Sequence, residues 1–308
     1  MKILCTFHHE QLHESLILLG ERMGADIYRP LGLDWYHEDL WHVHPSEATA
    51  NQYLGGATYL NYKGVTLDEA RKADWDLIIT TLLEDYPCME KFRKDHCPNA
   101  KHVLQVGNQW DLSQLEGLRN VLNSTTSPVD DNVHSVQYHP EFTIRPWKTP
   151  GNVRSAASFV HYPDTEAIAI GKDIAQVSGW PVKFHGAGAF HGAVGLDRIL
   201  DYMSEFGFLL HHKPGADGYG FVIHQALAHG MPVIVNLGDY WESAAGKLLY
   251  EDTCIDTGSN IFDIVEALEA FADNYTYHQQ CCKDAWMEHC NPHREFSEKL
   301  KPFFETLK

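Results

Sequence analysis

The sequence predicts an α/β chain made of two parallel-sheet halves, and three observations carry that reading. Short apolar runs alternate with segments of helical periodicity from Lys2 to Asn236. The segment Thr143 to Arg154, with two prolines and a glycine in twelve residues, divides the chain into halves of similar length. Lys213 to Asn236 reads as a loop, a helix and a strand, with Gly218 and Gly220 bracketing a turn where backbone can approach a ligand.

At 308 residues the chain can bury two cores, each in a domain of about 150 residues. Cys5, Cys88, Cys97, Cys254, Cys281, Cys282 and Cys290 form an odd set without a C-x-x-C pair, which favours reduced thiols. A formal net charge of −18 disfavours broad attraction to nucleic acid or anionic membrane, while twenty histidines soften that charge in acid. No apolar run approaches the roughly eighteen residues of a membrane span, and the amino terminus lacks a signal-peptide pattern. The expectation is a cytoplasmic protein without membrane insertion.

In the first half, Lys2 to Phe7 is a buried strand ending in His8-His9-Glu10. Leu12, Leu16, Leu19 and Met23 make one helical stripe, Gly24 closes it, and Asp26-Ile27-Tyr28 starts a second strand. Such a unit binds ligands at the carboxyl edge of its strands, where His8, His9 and Glu10 sit. A histidine there suits a general base for an acceptor hydroxyl, because its pKa lies near working pH. The plain alternative is a helix start with surface histidines. The aromatic-rich segment from Leu31 to Gly56 contains Trp35 and Tyr36 beside acids, a platform for a sugar or a base. Neither strand nor helix periodicity gathers His37, His42 and His44, so no metal is expected.

Further strands follow at Asp74 to Thr81, His102 to Val106 and Arg119 to Asn123, with a basic helical segment at Lys91 to Lys94 between the first two. Val136-Gln137-Tyr138-His139-Pro140-Glu141 mimics the His-x-Glu end of glutamine amidotransferases. Neither Cys88 nor Cys97 sits in a glycine elbow, so the stretch reads as the half's last strand and exit. The dividing segment is locally basic, with Arg145, Lys148 and Arg154 around Trp147.

The second half repeats the alternation. Ala156 to Val160 is a strand, Thr165 to Ser178 a helix, and Pro181 to His185 a strand ending in Gly186-Ala187-Gly188. A helix from Leu196 to Phe206 leads into the strand Phe208-Leu209-Leu210. After the glycine turn, Phe221 to His229 is helical, Gly230 and Pro232 end it, and Val233-Ile234-Val235 is a strand. A helix opening behind a glycine loop aims unpaired N–H groups at its ligand, and phosphate is the natural occupant. Asp217 lies just before the turn and Gln225 eight positions later, placed for a sugar ring and a ribose. The alternative is a capping Asp217 and a solvent-facing Gln225. Gly238 to Ser243 forms another donor-side loop, Gly246 to Tyr250 an edge segment, Ile261 to Ala272 an amphipathic helix and Glu295 to Leu307 a closing helix. Cys281, Cys282, His289, Cys290 and His293 match no zinc-finger spacing, and helix packing explains them better.

Asp217, Gly218-Tyr219-Gly220, Gln225 and Ala228-His229-Gly230-Met231-Pro232-Val233-Ile234 together resemble the signature of GT-B glycosyltransferases. That signature has an acid, a Gly-aromatic-Gly turn, a second acid eight positions on, and Ala-x-Gly-x-Pro-Val-Ile. Here the acids are Asp and, in amide form, Gln. The resemblance implies two Rossmann-like domains of GT-B type with a cleft between them. They would be an acceptor domain over 1–146 and a nucleotide-sugar domain over 147–290, with a helix over 291–308 crossing back to the first. It implies hexosyl or pentosyl transfer from a nucleoside-diphosphate sugar, with a UDP-sugar favoured, to an acceptor hydroxyl, and no cofactor. His8, His9 and Asp217 would be catalytic. Gly186, Gly188, Lys213, Gly218, Tyr219, Gly220 and Gln225 would bind the donor, and Glu10, Trp35 and Tyr36 the acceptor. The Arg and Lys pair that the family often carries after the second domain's first strand is missing from His161-Tyr162-Pro163-Asp164. The leaving diphosphate is then left to Lys213, Arg154, His212 or helix N–H groups. The stretches FHHEQLHESL and YRPLGLDWY more loosely resemble bacteriophage-encoded glycosyltransferases, some of which act on hydroxymethylated DNA bases. Competing expectations are a nucleotide-sugar epimerase or hydrolase and a non-catalytic nucleotide-sugar binding protein.

Overall fold

The computed structural model describes all residues except 7–9, 39, 41–58, 109–110, 113–114, 116, 145–148, 161–162, 187, 193, 195 and 308, and it leaves out the side chains of 10, 11, 196 and 197. The chain forms two compact units. Unit 1 comprises Met1–Phe142 with Pro292–Lys308, and unit 2 is Thr143–Asn291.

Unit 1 is built on a seven-stranded sheet ordered β3-β2-β1-β4-β5-β6-β7. Its strands are β1 (Lys2–Thr6), β2 (Asp26–Pro30), β3 (Tyr62–Val65), β4 (Leu77–Thr80), β5 (Lys101–Val106), β6 (Asn120–Asn123) and β7 (His134–Gln137). Every pairing is parallel; Ile3, for example, lies opposite Ile27 on one side and Leu77 on the other. Parallel strands are covered on both faces, which is why β4 and β6 read as unbroken buried runs. Strand order reverses between β1 and β4, so the ligand crevice of such a sheet lies outside their carboxyl ends.

Helix α1 (Glu10–Met23) buries Leu12, Leu16 and Leu19, as the stripe requires. It is followed by α2 (Asp34–His37), α3 (Leu67–Ala70), opened by a Thr66–Glu69 capping box, and α4 (Tyr86–His96). Strand β3 is not among the strands the sequence predicts. Its Tyr-Lys-Gly-Val run buries only Val65, because it is a sheet edge with few apolar positions to mark it. The closing segment from Pro292 returns to unit 1, where Leu300 and Phe303 join the core with Ile3, Leu16 and Val103. It is not one regular helix: a π-helical turn, Glu295–Leu300, separates two short α-helical pieces. The buried Glu295 carboxylate in that turn accepts from the His139 backbone N–H at 2.9 Å.

Unit 2 carries a five-stranded sheet ordered β12-β11-β10-β8-β9. Its strands are β8 (Ala156–Ser158), β9 (Val182–Phe184), β10 (Phe208–His211), β11 (Val233–Val235) and β12 (Cys254–Asp256), again all parallel. The order reverses between β8 and β10, which sets the ligand end at the carboxyl edges of those two strands. The helices are α5 (Thr165–Ser178), α6 (Leu196–Met203), α7 (Phe221–His229), α8 (Leu237–Tyr240), α9 (Ile261–Asp273) and α10 (Tyr275–Cys290). Side-chain caps start two of them: Asp164 accepts from the Ala167 N–H ahead of α5, and Asn260 from the Phe262 and Asp263 N–H groups ahead of α9. Two expectations need correction. Gly246–Leu248 is a single 3₁₀ turn, and the edge strand is β12 further on. Helix α6 stops at Met203, ahead of the tight approach of Gly207 to the Val153 carbonyl. The seven cysteines are all free thiols; Cys282 and Cys290 lie on the buried side of α10.

Gly230 ends α7 in the left-handed region, with φ of 82°, and a β-carbon there would lie 2.7 Å from the Gln279 carbonyl oxygen on α10. Gly179 ends α5 with φ of 76° but has nothing within 4 Å. Gly179→Ala therefore carries only the left-handed strain, about 1–2 kcal/mol. Gly230→Ala adds a backbone clash and is the more destabilising of the two, a ranking read from urea denaturation midpoints.

Candidate donor site

The site grows from the carboxyl end of β10. The buried Phe-Leu-Leu-His strand ends at His211, and the chain then turns sharply through Gly215 (φ 73°) and Ala216 (φ 60°) before Asp217. Ala216 is the one non-glycine residue with positive φ among the described residues. Its strain, about 1–2 kcal/mol, persists because the loop is pinned at the very next residue.

The pin is the Asp217 carboxylate. His211 Nε2 donates to its Oδ2 at 2.6 Å, the Tyr240 hydroxyl donates to the same oxygen at 3.3 Å, and Lys213 Nζ donates to Oδ1. Burial opposes charge on Asp217, but His211 and Lys213 outweigh it and hold the carboxyl well below the usual carboxylate range. Burial, reinforced by the Asp217 charge, pushes the Tyr240 hydroxyl far up, so it remains a donor.

Gly218, Tyr219 and Gly220 complete the turn. Gly220, at φ 76°, precedes α7 without offering a side-chain cap. The positive end of the α7 dipole therefore faces the loop with no competing side chain from its own cap. Helix α7 is itself buried at every position except Val222. Tyr219 is 1% exposed and stacks on His224 with ring centroids 3.9 Å apart. His224 Nδ1 donates to the Gly220 carbonyl at 3.0 Å, and burial lowers its pKa to about 4. Gln225 is 3% exposed, and its carbonyl accepts from His229 Nδ1.

The structure thus brings Lys213, Asp217, Gly218 and Gly220 into one loop and corrects the roles given to Tyr219 and Gln225. Both are packed beneath the loop, leave almost no surface for a donor, and fix its shape instead. Gly186 and Gly188 lie beyond the end of β9, the edge strand next to β8, with the Gly186 N–H donating to the Gly192 carbonyl. Arg154 is withdrawn from the leaving group, since it pairs with Glu269 and Asp273. His212 is hydrogen-bonded to Thr257 and lies 3.6 Å from Glu166. Lys213 remains, 46% exposed, with N–H groups to spare beyond Asp217. Sequence reasoning missed His211 and Tyr240. The available signal for His211 was a polar residue closing a wholly apolar strand; Tyr240 lies twenty-three positions after Asp217, and only the fold joins them.

In unit 1, His8 and His9 lie outside the described residues, as does the side chain of Glu10, which opens α1. Trp35 is no acceptor platform: it is fully buried, its indole N–H donates to the Val65 carbonyl, and Phe92 lies 5.8 Å away. Tyr36 is exposed on α2. Buried His13 shares a 2.8 Å hydrogen bond with the Tyr62 hydroxyl; burial, then Arg29, lowers its pKa to about 3.

No protein-family model and no curated protein matches the sequence. Solved structures match along nearly the whole chain. The T4 phage BGT in complex with its UDP-glucose substrate is 10% identical, at a TM-score of 0.58 over 99% of this chain and 100% of that one. Arabidopsis thaliana UGT89C1, complexed with UDP-L-rhamnose, is 12% identical at 0.57 over 96% and 97%. CalG4, the calicheamicin glycosyltransferase, is 12% identical at 0.51 over 99% and 98%. The chain therefore has the GT-B fold of two Rossmann-like domains that these glycosyltransferases share.

The buried histidines cost the fold stability in acid. His224 takes a proton at about 4 in the fold and at 6.5 ordinarily, so between those values only the unfolded chain is protonated. Its contribution is complete above pH 6.5 and is lost as pH falls towards 4. His13 extends the loss towards 3. Urea midpoints should fall across this window, and His224→Gln should flatten the slope there by about one proton's worth.

Proposed function

We propose that the protein is a glycosyltransferase that moves a hexosyl or pentosyl group from a UDP-sugar to an acceptor hydroxyl. The observation that carries this is the Asp217 loop. It stands at the switch point of the unit 2 sheet and delivers Lys213 and an uncapped helix N-terminus to the ligand edge. The full-length likeness to structures that hold UDP-glucose and UDP-L-rhamnose supports the choice of donor.

On this reading the diphosphate lies against Gly218, Gly220 and the first turn of α7. Lys213, anchored by Asp217, places its remaining N–H groups on the leaving oxygens. The acceptor oxygen bonds to the anomeric carbon as the bond from that carbon to the diphosphate breaks. Its electron pair leaves with UDP, and His8 or His9 takes the acceptor's proton. Asp217 acts by holding Lys213 and the loop, and so counts as a positioning residue.

The acceptor we propose is a hydroxymethylated base in DNA. Two observations support it: the likeness of residues 7–16 and 28–36 to phage-encoded enzymes, and the shared fold with the T4 phage protein. With a net charge of −18, contact with DNA must be local and strongly salt-dependent.

Removing the anchor tests the donor site. Asp217→Ala should cut UDP release by about 10²-fold, the usual scale for losing one charge-stabilising contact. It should also abolish the rise in melting temperature that the cognate UDP-sugar gives the native protein; unchanged turnover would refute the assignment. For the acceptor, radiolabelled sugar should pass to hydroxymethylated duplex DNA at low salt and not to unmodified DNA. Release of UDP with no labelled acceptor would point instead to an epimerase or hydrolase, and donor binding without release to a non-catalytic protein.

A further inference from the structure

We propose that unit 1 carries a second ligand site, a phosphate-binding pocket at the amino ends of β5 and β6, at the opposite edge of the sheet from its carboxyl-end crevice. The pocket encloses about 130 Å³ and is bounded by the last two turns of α4, the Pro98-Asn99 turn and the first residues of the two strands. A water occupies about 30 Å³ of liquid, so the space suits a phosphate with part of its hydration or a small phosphomonoester.

The choice of an anion rests on which lining groups are already used. The acceptors are consumed. Arg93 donates to both carboxylate oxygens of Glu90, at 2.8 and 2.9 Å, and to the carbonyls of Pro98 and Ala100. His102 Nδ1 donates to Glu90 as well, and the Asn120 amide donates to the His102 carbonyl. The donors are left over. Lys101 and Arg119 are exposed at the rim, and neither side chain enters an ion pair among the described residues; the Asn99 amide is equally uncommitted.

Charge points the same way. Glu90 and Arg93 cancel, and burial lowers the pKa of His102, which favours a neutral ring. That leaves Lys101 and Arg119 as two uncompensated cations in a chain of net charge −18. The floor is rigid. His102 stacks on Tyr86 with centroids 4.3 Å apart and is fixed at both nitrogens by Glu90 and Thr80. A fixed floor under two cations and an amide is preorganised for a tetrahedral dianion, which an arginine fork and a lysine recognise by charge-assisted hydrogen bonds.

The test is calorimetric titration of the full chain with sodium phosphate at constant ionic strength, with excess UDP present to occupy the donor loop. Binding is expected with a dissociation constant on the order of 1 mM, and the Lys101→Gln/Arg119→Gln double variant should bind about ten-fold more weakly or not at all. The double variant should retain native circular dichroism and the turnover of UDP-sugar, since neither residue is assigned a part in donor binding or transfer. Titration with glycerol phosphate separates the sources: tighter binding than phosphate marks a phosphomonoester ligand, and equal binding marks the free ion. Phosphate binding that survives the double substitution, or none in the native chain, overturns the proposal. Failure of the donor reading would appear separately, as lost UDP binding with the pocket titration intact.

Discussion

The carboxylate of Asp217 is the constraint on which the unit 2 ligand edge depends. A carboxylate this buried is unfavourable unless its oxygens are satisfied, and three donors from three places in the chain satisfy them. His211 ties it to the end of β10, Lys213 to the loop, and Tyr240 to the short helix after β11. The strained Ala216 backbone and the left-handed Gly220 flank that acid in the loop it pins. Below it, the stacked Tyr219 and His224 rings and the His224 bond to Gly220 carry the loop's shape into the core.

Histidine serves throughout the chain as a neutral, geometrically fixed connector. His13, His102 and His224 are buried, and each directs a ring nitrogen at a defined partner: Tyr62, Glu90 and Gly220 respectively. Such rings join backbone turns to side chains without the desolvation cost of a charge. In acid the same rings turn from connectors into liabilities, because the unfolded chain accepts protons that the fold refuses.

Much of the fold was legible because parallel strands and amphipathic helices leave strong periodic traces. The buried runs of β1, β4, β10 and β11 and the α1 stripe stand out, as does the α7 segment bounded by Gly220 and Gly230. Two of the four edge strands were not, since β3 and β12 have few apolar residues to distinguish them from loop. At the site, local chemistry was readable and long-range chemistry was not. Lys213, Asp217 and the glycines share one stretch, whereas Tyr240 reaches Asp217 only through the fold. Trp35 misled for a physical reason: an aromatic ring beside acids reads alike whether it faces a ligand or a core, and burial decides.

The path of the chain has a consequence for how the molecule is made. Unit 1 is discontinuous, with unit 2 inserted between Phe142 and Pro292, and its core is completed by Leu300 and Phe303 beyond that insertion. A ribosome delivers all of unit 2 before those two side chains emerge. The amino-terminal unit therefore cannot complete its core before the inserted one has been made. The inserted unit can settle during synthesis, while the first sheet waits, with one patch of its core uncovered, for the segment that follows unit 2.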